Sequence, residues 1–223
     1  MHYPLKIVEN ILQKTKTMHL EGFVEGSGPL FPQVMLIGEA PGQQEIKENI
    51  PFCGKSGKQL TNSLESIGLT RKDVYITSTV RSRPYSIKKI RGKQNQEYIE
   101  KTIYPNRKPT LSEQLIFSPI LDWEIKTYQP HLIITLGNVS LQRLLGKNFG
   151  ISNVHGQLLK VPIQKLDWNQ KKYIYTEEEY LVIPLYHPAA IFYNAKLKEI
   201  ISNDWKKVGY FLKTNNFYKG EEK

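Results

Sequence analysis

Short apolar runs alternate with amphipathic stretches along most of the chain, and this alternation is typical of an α/β protein. Four runs have the composition of buried or β-branched strands: VMLIG at 34–38, DVYITSTV at 73–80, HLIITLGN at 131–138 and YLVIPLYHP at 180–188. Strands that alternate with helices pair mostly in parallel, with helices on both faces of the sheet. The pattern therefore predicts a mostly parallel central sheet.

The amphipathic stretches predict five helices. They are residues 1–20, 56–69, 111–130, 139–146 and 195–214. The third begins with a capping pattern, Thr110 with Glu113 three residues later, and ends at Pro130. The segments at 157–163 and 171–176 are typical of a polar-edged hairpin. We expect a single domain over residues 1–213 and a flexible C-terminal tail at 214–223.

Uncommon residues stand at the ends of the predicted strands. They are Gly38 with Glu39, Ser78, Gly137 with Asn138, and His187 with Pro188. In parallel sheets, ligands bind beyond the carboxyl ends of the strands. If these strands run parallel, their ends meet at one edge of the sheet and form a single site there.

Composition narrows the choice of partner. The chain has 223 residues with 31 Lys and Arg against 21 Asp and Glu, a net charge of +10. Residues 81–108 contain nine basic residues against Glu97 and Glu100, so that this segment alone carries +7. Such a local excess favours a polyanion such as nucleic acid. A solvated surface loop is an equally good interpretation of the charge alone.

Other classes of protein are disfavoured by what the sequence contains. Cys53 is the single cysteine, which excludes an intrachain disulfide and a cysteine-built metal or iron–sulfur site. No apolar run reaches the roughly 20 residues of a membrane span, and residues 1–20 have no signal-peptide pattern. We expect a cytoplasmic monomer that does not contact membranes and needs neither metal nor cofactor.

The loop after the first strand, GEAPGQQEIKENIPFCGKSG at 38–57, is not one of the common phosphate-binding loops. A P-loop that ended at Gly54, Lys55 and Ser56 would need glycine at position 49, which is Asn49. The dinucleotide pattern G-x-G-x-x-G is also absent, as is the G-x-S-x-G turn of serine hydrolases. The loop needs another explanation.

Taken together, GEAPGQQE, PFCGKSG, VYITSTVRSRP, NRKPT, HLIITLG and LYHPAA resemble the uracil-DNA glycosylase superfamily, and family 4 most closely. The resemblance runs in unbroken order from about residue 34 to about 212. It implies a three-layer α/β/α sandwich on a four-stranded, mostly parallel sheet. It also implies a repair enzyme that flips deoxyuridine out of DNA and hydrolyses the N-glycosidic bond to release uracil.

The resemblance assigns roles to individual residues. Phe52 matches the phenylalanine that stacks on the flipped base, and His187 matches the histidine that stabilises the leaving uracil anion at O2. Gly38 and Glu39 match the loop that reaches the base, and Glu45 is expected to orient water or the loop itself. A core aromatic and a solvated carboxylate are the alternative interpretations of Phe52 and Glu45.

Two further groups of residues are expected to contact DNA. Gly54, Lys55 and Ser56 form the first, because the glycine permits a close approach of the backbone to DNA. The second lies in an insert at about 84–105 that the family usually lacks, and consists of Lys88, Lys89, Arg91 and Lys93. A related branch that links covalently to DNA has a histidine in a basic insert near this place. This insert contains no histidine, so that chemistry is not expected here.

Two other departures concern chemistry. Family 4 proteins usually carry an iron–sulfur cluster, but the third ligand position is Ser82, the fourth falls near Phe117, and the N-terminal cysteine pair is absent. The resemblance also places Ser78 where the family has the asparagine that reads the uracil edge. A member of the superfamily that binds DNA or a base without cleavage therefore remains an alternative, as does an unrelated nucleotide-binding α/β protein.

Overall fold

The computed structural model describes residues 3–94 and 97–215, and the side chains of 92–94 and 97–99 lie outside that description. The helices are α1 Leu5–Thr15, α2 Gln43–Glu48, α3 Lys55–Glu65, α4 Leu111–Tyr128, α5 Asn138–Leu145, α6 Ile151–Val154 and α7 Leu197–Thr214, with a 3₁₀ helix at Pro188–Phe192. The strands are β1 Leu20–Glu21, β2 Val34–Gly38, β3 Val74–Ser78, β4 Arg83–Pro84, β5 Lys88–Gln94, β6 Glu97–Ile103, β7 Leu132–Leu136, β8 Leu159–Asp167 and β9 Lys172–Leu185.

The central sheet has five strands in the order β3-β2-β7-β9-β8. The first four run parallel to one another, which confirms the predicted mostly parallel sheet. The predicted number of four strands was wrong because β9 is one continuous strand. Its residues from Lys172 to Val182 pair antiparallel with β8 as in the expected hairpin, and Val182–Leu185 also pair with β7, so β8 becomes a strand of the central sheet.

Alternating side chains of the sheet pack into two separate cores. Val34 and Leu36 face α3 and α7, whereas Met35 and Ile37 face α4 and α5. Because successive residues of a strand point to opposite faces, one fully apolar strand can serve both layers. The result is the three-layer α/β/α arrangement. Among the described residues, no helix is both long and apolar enough to cross a membrane.

A third core lies beside the sheet, under α1. Tyr3, Ile11, Val80, Phe117 and Ile120 are its buried residues. Phe117 is 1% exposed and stacks on Phe23 with a ring-centroid distance of 6.4 Å. The hydroxyl of nearby Ser82 donates to the Gly22 carbonyl over 2.6 Å. The two positions that the resemblance assigns to cluster ligands are thus an apolar core residue and a serine that binds the backbone.

A buried carboxylate joins this third core to the sheet. Glu124 of α4 is fully buried and forms a salt bridge with Arg81, which is also buried. The carboxylate also accepts hydrogen bonds from the Tyr3 hydroxyl over 2.6 Å, the Tyr75 hydroxyl over 2.8 Å and the Thr77 hydroxyl over 2.9 Å. Tyr3 comes from the N-terminus, Tyr75 and Thr77 come from β3, and Arg81 comes from the loop after β3.

The basic insert is a two-stranded antiparallel hairpin, β5 with β6, in which Lys88 pairs with Ile103 and Arg91 pairs with Glu100. It forms a sheet separate from the central one. Most of the predicted flexible tail lies outside the described residues, which end at 215, so the tail remains a prediction.

Candidate active site

The carboxyl ends of the four parallel strands surround one cavity of about 710 Å³. Gly38 at the end of β2 stands directly beside Ser78 at the end of β3. Glu39, Ser78, Asn138 and His187 all line the cavity, together with Phe52 from the loop that follows α2. The strand-end residues of the sequence are therefore neighbours in space.

His187 is held in one neutral form by its local backbone. It stands at the start of the 3₁₀ helix, where its Nδ1 accepts the Ala189 N–H over 3.1 Å. Burial lowers the pKa of His187 to about 4, although the charge of Glu45 acts in the opposite direction. A neutral imidazole that accepts at Nδ1 carries its proton on Nε2. His187 is therefore a neutral hydrogen-bond donor at the cavity.

Phe52 forms an aromatic wall next to this histidine. Its ring is 8% exposed, and its centroid lies 5.6 Å from that of His187 at an angle of 32°. A Cβ at Gly38 would lie 2.6 Å from the Phe52 ring, so only glycine fits beneath it. Phe52 lines the cavity and also belongs to the first core, so both sequence interpretations describe part of its surroundings.

The backbone of Phe52 is strained, and hydrogen bonds from the side chain of Arg71 stabilise it. Its φ of 52° lies in the left-handed region, which costs a residue with a side chain about 1–2 kcal/mol. Arg71 donates from Nη2 to the Pro51 carbonyl over 2.6 Å and from Nη1 to the Phe52 carbonyl over 3.1 Å. A Cβ at Gly57 would lie 1.7 Å from the Phe52 carbonyl oxygen, so the loop also needs glycine at that position. Arg71 was not predictable as a site residue, because nothing in its neighbourhood in the chain connects it with the loop.

Glu45 closes the loop rather than facing open solvent. Its side chain is buried, and its two oxygens accept the Gly42 N–H and the Gly54 N–H, each over 3.0 Å. A Cβ at Gly42 would lie 2.8 Å from one of these oxygens. The carboxylate thus joins the start of α2 to the start of α3, which brings Ser56 to the cavity. This geometry favours the loop-orienting role among the two that the sequence suggested.

Ser78 and Glu39 line the cavity with different chemistry: a hydroxyl whose proton is already donated, and a carboxyl group with a raised pKa. The Ser78 hydroxyl donates to the Val80 carbonyl over 2.9 Å, so its proton already has an acceptor. Burial raises the pKa of Glu39, and the charge of Lys108 partly opposes that increase. Three residues that no sequence pattern had marked as site residues also line the cavity: Asn106, Arg107 and Lys108.

The residues expected to bind DNA fall into two places. Gly54, Lys55 and Ser56 form the cap and first turn of α3, where Lys55 is exposed. Lys88, Lys89 and Arg91 are exposed on the hairpin and do not line the cavity. Lys93 occupies a strand position opposite Tyr98, but its side chain lies outside the description. No group of three or more His, Cys, Asp or Glu able to hold a metal ion occurs among the described residues.

Comparison with known proteins agrees with this geometry. Residues 25–213 match the family model of the uracil DNA glycosylase superfamily. The chain is 36% identical over 189 residues to the type-4 uracil-DNA glycosylase of Sulfurisphaera tokodaii, covering 83% of this chain and 72% of that protein. It is 34% identical over 202 residues to the enzyme of the same name from Archaeoglobus fulgidus, covering 89% and 84%. The chain therefore belongs to the uracil-DNA glycosylase superfamily, and its relatives by sequence include type-4 enzymes.

Proposed function

We propose that this protein excises uracil from DNA by hydrolysing the N-glycosidic bond of a flipped deoxyuridine. The observation that carries the proposal is His187, a neutral imidazole with Nδ1 occupied by Ala189 and with Nε2–H available to the cavity. The relatives named uracil-DNA glycosylase support the same reaction class. A flipped base has to be stacked and read at its edge, and Phe52 and Ser78 line the same cavity.

The reaction breaks the bond between uracil N1 and the C1′ of the sugar. The electron pair leaves with uracil, and negative charge develops on O2, where a hydrogen bond from His187 Nε2 stabilises it. The sugar becomes cationic at C1′, the oxygen of a water molecule bonds to that carbon, and the proton that this water loses is taken up by the uracil anion. The products are free uracil and DNA with an abasic site.

Glu39 and Glu45 have different parts in this proposal. Glu39 is the group that orients the attacking water, because its carboxyl lines the cavity and burial raises its pKa, which makes the carboxylate a stronger base. Glu45 is a positioning residue, because both of its oxygens are already used by the backbone of the loop.

Binding without cleavage is the second candidate function. Ser78 favours it, since a hydroxyl offers fewer contacts to the uracil edge than the asparagine amide that the family resemblance leads one to expect. In this case the protein would bind DNA that contains uracil and leave the bond intact.

Uracil release from a labelled uracil-containing oligonucleotide, followed by alkaline cleavage at the abasic site, separates the two candidates. We expect release by the wild type and a loss of about 10²–10⁴-fold in His187→Ala, because a donor to developing charge is removed. His131→Ala is the matched control, since His131 precedes β7 and so lies at the end of that strand away from the cavity. No release by the wild type, or full activity in His187→Ala, would contradict the proposal.

The pH profile of the single-turnover rate of uracil release tests the protonation state of His187. Free histidine titrates near pH 6.5, but burial lowers the pKa of His187 to about 4. The rate should therefore show no histidine inflection between pH 8 and about 5. As the pH falls, His187 is protonated in the unfolded chain at a higher pH than in the folded chain. The stability that comes from neutral His187 is therefore present above pH 6.5 and is lost as the pH falls towards 4. An inflection near 6.5 that disappears in His187→Ala would show that the histidine acts in a titrating form.

Ser78 is expected to read the base as an acceptor. The Ser78 hydroxyl donates its proton to Val80, and its oxygen accepts a long hydrogen bond of 3.5 Å from Arg81 Nη1. The second lone pair of the oxygen can accept the N3–H of uracil, and equally the N1–H of hypoxanthine or xanthine. Discrimination among these bases should therefore be weak, and Ser78→Asn should favour uracil by about 1 kcal/mol, the value of one added hydrogen bond. The measurement is kcat/KM on the three bases for the wild type, Ser78→Ala and Ser78→Asn. Identical ratios in all three proteins would show that Ser78 does not face the base.

We propose that Arg71 positions Phe52, since it holds the two carbonyl groups that define the strained turn. Arg71→Gln should lower kcat/KM by about tenfold through a higher KM, because coupled neighbours interact by about 0.5–3 kcal/mol. In a Phe52→Ala background the same change should have little further effect. Lys72→Gln removes the same charge from an exposed neighbour and is the matched control. Equal losses from Arg71→Gln in both backgrounds would show that Arg71 acts independently of Phe52.

The basic hairpin is proposed to contact backbone phosphates outside the cavity. Changing Lys88, Lys89, Arg91 and Lys93 to Gln should reduce the dependence of log Kd on log salt by up to about 0.9 per lost duplex contact. Lys89 already pairs with Glu100 over 2.8 Å, so a reduction below the maximum is expected. A variant with Lys160, Lys165, Lys171 and Lys172 changed to Gln loses the same charge from the other hairpin. If both variants change the slope equally, the effect is one of net charge and the hairpin has no special role.

A further inference from the structure

A second cavity of about 920 Å³ lies beside the first, between β1, β4 and the base of the basic hairpin. The two cavities share a wall, because adjacent residues line one cavity each at three places in the chain. These pairs are Gly42 with Gln43, Pro84 with Tyr85, and Asn106 with Pro105. Neighbouring Cα atoms are about 3.8 Å apart, so the linings of the two cavities meet at these places.

The second cavity has an aromatic side with one open ring. The rings of Tyr85 and Tyr104 meet edge to face at a centroid distance of 5.7 Å. Tyr85 is also covered by His19 at 5.4 Å and has the Arg83 guanidinium 5.9 Å from its centroid. Tyr104 is 52% exposed, so it is the ring that can still accept a stacking partner.

The charges around this aromatic side suit a nucleic acid strand. Arg83 is buried and donates to the Glu21 carboxylate, the Tyr104 carbonyl and the Asn106 side-chain oxygen. Arg83 therefore neutralises Glu21, the one acidic residue among the described residues that line this cavity, and fixes the backbone of Tyr104. Lys101 lines the cavity from the hairpin and forms no salt bridge among the described residues.

We propose that this second cavity binds one unstacked nucleobase of the same DNA strand, next to the flipped deoxyuridine. Tyr104 is the stacking platform, and Lys101 contacts the adjoining phosphate. Proteins that bind single strands combine exposed aromatic rings with a basic track, and the base stacks whatever its identity. The proposal rests on the proposed function, because it takes the first cavity as the place of the flipped base. The second subsite would help to keep the strand locally unpaired while uracil is bound.

The test combines base deletion in the DNA with deletion of the ring in the protein. The probe is a labelled single-stranded 9-mer with a central 2′-fluoro-deoxyuridine, which resists glycosidic cleavage, and fluorescence anisotropy gives its Kd. An abasic spacer replaces each neighbouring nucleotide in turn. For the wild type, one neighbouring position should weaken binding by about fivefold or more, the lower end of what a base–aromatic stack contributes.

Tyr104→Ala should weaken binding of the intact 9-mer by the same factor and make that abasic position neutral. Tyr104→Phe keeps the ring and should behave as the wild type. Tyr210→Ala removes a tyrosine that is 72% exposed on α7, and it is the matched control for loss of an exposed aromatic residue. Thermal melting of each variant shows whether it is folded, and the half-exposed Tyr104 ring is not expected to be needed for folding.

Two results would overturn the subsite. One is a wild type for which no neighbouring base matters. The other is a Tyr104→Ala variant that loses the same affinity for intact and abasic strands, which would make the cavity a phosphate-binding rim at most. Uracil release from the cleavable 9-mer is measured in parallel. Release with no effect of neighbouring bases rejects the subsite alone, whereas base-dependent binding through Tyr104 without release rejects the proposed excision alone.

Discussion

The buried salt bridge between Arg81 and Glu124 is the interaction on which the position of the active-site loops depends. Both side chains are almost completely buried, and an uncompensated charge in such a place costs about 3–5 kcal/mol. The carboxylate reduces that cost by accepting hydrogen bonds from Tyr3, Tyr75 and Thr77. Burial raises the pKa of Tyr3 to about 12, so this hydroxyl stays a neutral donor. The N-terminus, β3 and α4 are therefore fixed relative to one another.

The loop after β3 is anchored at this salt bridge and reaches both cavities. Ser78 precedes Arg81 by three residues and lines the first cavity, whereas Arg83 follows two residues later and lines the second. The bond from Arg83 to Asn106 then connects the loop to the rim of the first cavity. Displacement of Arg81 would consequently disturb the lining of both cavities. This is why a charge pair outside the reaction can determine the shape of the site.

Patterns in the sequence predicted those features of the structure that are formed by residues close together in the chain, and not those that depend on distant residues. The strands and their ends were predictable, because a buried strand such as Val34–Gly38 is marked by its own residues. The addition of β8 as a fifth strand was not predictable, since the polar residues 177–179 separate the hairpin pattern from the apolar pattern, although β9 is one continuous strand. The role of Arg71 was hidden because its contacts at Pro51 and Phe52 lie about 20 positions away and involve only backbone oxygens. The direction of the Ser78 hydroxyl depends on the turn of the backbone at Val80, which residue types do not reveal.

In the proposed function, the distribution of charge separates the attraction of DNA from the recognition of the base. The exposed hairpin carries basic groups, whose attraction for phosphates is long-ranged and independent of sequence. At the proposed position of the base in the first cavity, His187 is uncharged and both Glu45 oxygens are bound to the backbone. A neutral donor costs less to desolvate than a cation, and it gains strength as charge develops on the leaving base. In the proposed reaction the cavity therefore stabilises the transition state more than the bound substrate, and this difference is what accelerates a reaction.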